Sequence, residues 1–292
     1  MTTALARSAS AGRTRAERVV WGALLVRDAA RLVFSDPRLA RAAAVPTLLT
    51  AAACLAAAAW RAWHREAADE TALHAFAVAF VAVSSMPPTF LHRMWTRVGV
   101  EARRALGAPP AEASRVHGWF RGFAAETVKA LRQAVAVAAG LAPVFLVVEW
   151  SPFGHQVTTA AALAWAGYWV VLDALEIPVS IAPLRLAGPG APTWFERGLR
   201  RMARARLRFP LNAVTWPFRL FFGLGARWGG MLSRPWRHEV KLTQRYPWET
   251  LGFGLAAAAF LLIPGLGLFF RAVVMTGATA LLARTGAEAR RD

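Results

Sequence analysis

The chain has 292 residues, of which 56% are hydrophobic, yet its formal net charge is +18. Such a charge fits a soluble nucleic-acid binder as well as a membrane protein, so the distribution of Lys and Arg decides between them. They are absent from several long apolar runs and crowd into the segments between, the pattern of membrane spans joined by charged loops, which excludes a soluble nucleic-acid-binding function.

Residues 1–18 are rich in Arg, Ser and Ala and poor in acids. The composition is that of a mitochondrial transit peptide, but a disordered cytoplasmic tail is the simpler expectation, because the apolar core of a secretory signal is missing. Val19 to Phe34 mixes Val20, Leu24, Leu25, Leu32 and Phe34 with Arg27, Asp28 and Arg31. It reads as an amphipathic helix on the inner leaflet.

The first long apolar run, Leu39 to Trp60, holds one charge, Arg41, near its start. At about 1.5 Å per residue it covers roughly 30 Å, the thickness of the hydrocarbon layer. The single cysteine, Cys54, lies inside it. That rules out a disulfide framework within the chain and leaves Cys54 as a small packing residue. A second run extends from Ala72 to Leu91, with Pro87-Pro88 expected to kink or stop it near the interface. A third runs from Gln133 to Val148 around Pro143, and a fourth from Val157 to Leu184 with Asp173 and Glu176 inside it. Phe209 to Trp236 interleaves Trp216, Phe218, Phe221, Phe222 and Trp228 with Arg219, Arg227 and Arg234, a headgroup-anchoring composition whose glycines disfavour a regular helix. Leu251 to Ile263 and Leu268 to Ala283 are apolar and separated by Pro264-Gly265-Leu266-Gly267. Each half is too short to span, so the stretch predicts a re-entrant hairpin turning at Pro264, Gly265 and Gly267, with a single kinked span as the alternative.

The loops alternate between arginine-rich and arginine-poor. Arg93, Arg97, Arg103, Arg104, Arg115 and Arg121 lie between the second and third runs, whereas Glu149 to Gln156 has no Lys or Arg. The positive-inside rule then places the N-terminus and the long basic loops in the cytoplasm. Arg284, Arg290 and Arg291 mildly favour a cytoplasmic C-terminus, as a hairpin requires. The expected fold is all-α: a membrane bundle of about four spans plus a C-terminal re-entrant hairpin. One membrane domain covers 19–283, and 284–292 is a cytoplasmic tail.

No catalytic constellation is visible. The six histidines are scattered, and HExxH, GxSxG and P-loop patterns are lacking. Neither an enzyme nor a cofactor is expected. Charges at membrane depth stand out because each costs a few kcal/mol there. Arg271, four residues past the turn, is the leading candidate to attract an anion, with pairing to a carboxylate as its plainer role. Asp173 and Glu176, three apart, share a helix face near the inner interface. They read as a solvated pair, as the neutraliser of Arg271, or as a proton relay.

Leu32-Val33-Phe34-Ser35-Asp36-Pro37-Arg38-Leu39 followed by Val45-Pro46-Thr47, then Leu251-Gly252-Phe253-Gly254, Ile263-Pro264-Gly265, and Val274 to Leu282, together resemble the EI24/CysZ family. So does Tyr168 to Asp173 leading to Pro178. The resemblance runs from about Gly22 to Ala283. It implies a bacterial inner-membrane protein with partly penetrating hairpins, homo-oligomerisation and passage of sulfate. Arg27-Asp28 stands for the family's basic and glycine cluster, making Arg27 a second anion candidate, and Arg271 stands where the family often has proline. The alternative function is a non-transporting scaffold that organises the envelope by binding anionic headgroups through its basic loops.

Overall fold

The computed structural model describes residues 14–64, 71–84, 91–111, 127–129, 131–133, 135–136, 154–182, 193–204, 219–220, 223–224, 227, 230–231, 234–261 and 266–285. Among them the structure is all-helical. The third apolar run, Pro87-Pro88, most of Phe209 to Trp236, and the turn residues Pro264 and Gly265 lie outside the described residues. The chain divides into two compact units, one of residues 1–126, 166–185 and 246–292, the other of 127–165 and 186–245.

In the first unit, α1 (Arg15–Ser35) starts with a capping box. Thr14 Oγ1 accepts from Glu17 N at 3.3 Å, and Glu17 Oε2 accepts from Thr14 N at 2.8 Å. These bonds satisfy two backbone donors that a helix start leaves without partners. α2 (Pro37–Trp63) follows after one residue, Asp36, whose Oδ1 accepts from Arg38 N at 2.9 Å and Leu39 N at 3.0 Å. Pro37 at the first helical position costs nothing, because that N–H has no helical acceptor anyway. The remaining helices of this unit are α3 (Ala72–Ser84), α4 (His92–Ala105), the C-terminal part of α5 (Gly154–Ile181), α8 (Pro247–Leu261) and α9 (Leu266–Arg284).

Two helices, α2 and α5, have the length and apolarity to cross a membrane, and only 28% and 33% of their most apolar windows are buried. The core helix of a soluble protein would hide most of such a surface. Here Leu48, Leu49, Leu55, Trp60 and Trp63 of α2 and Val157 and Leu163 of α5 are exposed.

α1 buries Gly22, Leu25, Val26, Ala29 and Val33, a stripe at helical spacing, against α8 and α9. Its inward face therefore meets protein, while Val20, Leu24 and Phe34 stay exposed. α1 and α8 run in the same direction and cross at paired glycines. A Cβ on Gly22 would collide with Glu249 O, and one on Gly252 with Val19 O. Backbones approach this closely only where side chains are absent. Beside the crossing, Arg18 grips Glu249 through two bonds, Nε to Oε1 at 2.7 Å and Nη2 to Oε2 at 2.9 Å. Contacts between α8 and α9 run in opposite directions along the two helices: Tyr246 O–H donates to Thr285 O at 2.6 Å, Phe253 meets Gly277, and Phe260 stacks on Phe270 at 4.6 Å.

In the second unit, α6 (Trp194–Arg204) and α7 (Arg237–Arg245) are short and strongly basic, and a 3-10 turn, Arg234–Trp236, leads into α7. Thr193 and Glu196 form a buried cap at the start of α6, with Glu196 Oε2 accepting from Thr193 N at 2.8 Å.

Candidate functional site

α4 comes from a segment that reads as a basic loop. It is amphipathic: Trp95, Val98, Gly99 and Ala102 are buried, and Arg93, Arg97 and Arg104 face outward. That apolar spacing of i, i+3, i+4, i+7 is the signal that would have placed a helix here. Its buried face meets α5 and α9, and each of the three helices contributes residues four apart. α4 gives Trp95 and Gly99, α5 gives Asp173, Ile177 and Ile181, and α9 gives Arg271 and Met275.

The upper layer of this junction is polar. Arg271 Nη2 donates to Asp173 Oδ2 at 2.9 Å, and the Arg271 guanidinium lies 5.9 Å from the centroid of the Trp95 ring. The charged side chains are 24% and 26% exposed, so the pair is mostly out of solvent and reachable from one side. Trp95 is 1% exposed and its Nε1 has no hydrogen-bond partner among the described residues. The lower layer is aliphatic. A Cβ on Gly99 would lie 2.9 Å from Ile181 Cδ1, 3.4 Å from Ile177 Cγ2 and 3.6 Å from Met275 Cε, so the absence of a side chain there lets the three helices close on one another. The planar guanidinium can bridge a carboxylate and an aromatic face at once, which an ammonium does less well.

Of the residues singled out in the sequence, Arg271 and Asp173 are brought together. Glu176, one turn further along α5, is half-buried. Arg27 is exposed on α1, with Nη2 3.4 Å from Asp28 Oδ1, and lies apart from this junction. Gly267 sits in the first turn of α9. Trp95 and Gly99 went unnoticed in the sequence, as did the Arg18–Glu249 pair, whose members are 231 residues apart.

A second polar cluster caps the other end of α4. Arg104 Nη2 donates to Asp36 Oδ2 at 2.9 Å, and Arg104 Nε donates to Glu101 Oε2 at 2.6 Å. The Asp36 carboxyl is held below the ordinary carboxylate range, chiefly by the Leu39 N–H, then by Arg104 and the Arg38 N–H. The same contacts, led by Glu101, push the Arg104 guanidinium up. Buried Arg103 turns back to donate to Pro109 O, from Nε at 3.0 Å. Trp95 and Arg104 are separated by roughly 14 Å along the helix axis.

The fold and this junction define a class, an all-helical protein with two candidate membrane-spanning helices and an ion pair packed among helices. No family model, no curated protein and no solved structure matches the chain.

Proposed function

We propose that the chain is a multi-pass inner-membrane protein that passes a small inorganic anion, sulfate being the expected one. Four spans and a C-terminal re-entrant hairpin, with the N-terminus in the cytoplasm, best reconcile the arginine pattern with the wide apolar exposure of α2 and α5. The opposed contacts of α8 and α9 support the hairpin. The similarity to the EI24/CysZ family supports a bacterial origin, homo-oligomers and the choice of anion.

The observation that carries the reading is the Arg271–Asp173 pair. Counted from Val157, Asp173 lies roughly 24 Å along α5, toward the inner end of a hydrocarbon layer about 30 Å thick. Ionisable residues packed among the helices of a membrane protein are candidates for ion pathways and relays. Arg271 spends one N–H on Asp173 and keeps other donors for an arriving anion. Asp173 in turn keeps the cation from standing uncompensated when no anion is present.

Reconstituted vesicles test this. Purified protein should drive uptake of labelled sulfate above that of empty vesicles, and Arg271→Ala should abolish it. Uptake equal to empty vesicles removes the transport reading, and full uptake by Arg271→Ala removes Arg271 from it. The neutral charge of the pair favours a second reading, a scaffold in which the pair only locks α5 to α9. That reading predicts no flux together with a stoichiometric protein partner or enriched anionic lipid.

A further inference from the structure

The face of α6 carries a charge pattern that the anion pathway does not use. Arg197, Arg200, Arg201 and Arg204 fall at i, i+3, i+4 and i+7, which places them in one stripe, and all four are exposed. Trp194, 49% exposed, lies at the N-terminal edge of the same stripe. Like charges at these spacings destabilise a helix unless an anion compensates them. α6 itself has no carboxylate free to do so. The only acid in α6 is Glu196, fully buried, with Oε2 taken by Thr193 N and Oε1 by Arg237 Nη2 at 3.1 Å. Among the described residues Arg200, Arg201 and Arg204 have no ion-pair partner, and Arg197 donates to Gln244 Oε1 at 3.2 Å. An adjoining side of α6 is anchored: a Cβ on Gly230 would meet Glu196, Ala203 Cβ faces Gly223, and Ala203 O accepts from Arg219 Nε at 3.3 Å. The helix is therefore held so that its arginines point away from its own unit.

The geometry points to α6 as a docking surface for anionic phospholipid headgroups, a reading that rests on the membrane location proposed above. Guanidinium forks pair bidentately with phosphate oxygens. A half-exposed Trp beside them suits the boundary between headgroups and acyl chains, where one edge of the ring is wet and the rest apolar. Three uncompensated arginines in one stripe match a surface carrying several phosphodiesters better than a single soluble anion.

The test uses the full chain purified in a neutral detergent and titrated with phosphatidylglycerol or phosphatidylcholine, with bound lipid counted by native mass spectrometry. The wild type should prefer phosphatidylglycerol. R200Q/R201Q/R204Q should lose roughly a hundredfold of that preference, and R200K/R201K/R204K, which keeps the charge but not the planar fork, should lose less of it. An unchanged preference in the glutamine variant, with wild-type circular dichroism, overturns the proposal. So does displacement of the lipid by millimolar inorganic phosphate, which would assign the stripe to a soluble anion. Arginine-dependent binding of a 20-nucleotide RNA without any lipid preference would overturn it in favour of nucleic acid. Failure of the membrane reading would show separately, as a chain that stays soluble without detergent.

Discussion

If Arg271 and Asp173 form the pair that holds α5 to α9, replacing either should weaken the fold, and replacing both should cost less than the two losses added together. A fully buried pair that loses one partner costs about 3–5 kcal/mol, and a fully exposed pair contributes about 0–1 kcal/mol. With roughly three-quarters of each side chain buried, Asp173→Asn and Arg271→Gln should each cost about 2–3 kcal/mol, between those two limits. The double variant leaves no stranded charge, so the coupling energy of the cycle should come to about 1–2 kcal/mol. The assay is unfolding in mixed micelles of increasing sodium dodecyl sulfate fraction, followed by far-ultraviolet circular dichroism. A coupling energy within about 0.3 kcal/mol of zero would refute the reasoning, because distant, independent sites add to about that accuracy. Arg271→Gln should in addition lose the contact with the Trp95 face, so its cost should exceed that of Asp173→Asn.

Two further outcomes follow from the first unit. Gly22→Val and Gly252→Val each drive a side chain into backbone of the facing helix, and each should cost about 1–3 kcal/mol, read as a lowered melting temperature in detergent; Gly167→Ala, with nothing within 4 Å of its Cβ position, should be neutral or slightly stabilising. The Asp36 carboxyl is held below the ordinary carboxylate range in the folded chain, so its contribution is complete above that range and fades as pH falls through it toward the lower native value; Asp36→Ala should cost about 1 kcal/mol at pH 7, as the loss of a helix cap does, and a pH–stability profile of the variant should be flatter than wild type on the acid side.

What was legible in the sequence follows from how each signal is encoded. Lengths of apolar residues read directly, and α2 and α5 stand where long runs predicted membrane helices. The close approach at Gly252 is less legible, because a small residue in an apolar helix permits such packing without naming the partner. The partnership of Arg271 with Asp173 is readable only as one alternative, because two opposite charges in apolar surroundings need each other; nothing local joins residues 98 positions apart. The arginines of α4 mask its helix in the sequence, although its apolar residues keep helical spacing. Trp95 and Gly99 went with it. The direction in which α1 turns its apolar stripe was equally hidden, since a helix that will face protein and one that will face lipid headgroups share the same periodicity.

The clamp of Arg18 on Glu249 ties α1 to a helix made 231 residues later. At elongation rates of about 5–20 residues per second, α1 waits roughly 10–50 s for its partner. Over that interval its stripe of Leu25, Val26, Ala29 and Val33 has no α8 or α9 to cover it. Biogenesis of the chain therefore needs a temporary host for this helix, either the insertion machinery or the membrane surface itself, and closure of the first unit waits on the synthesis of α8 and α9.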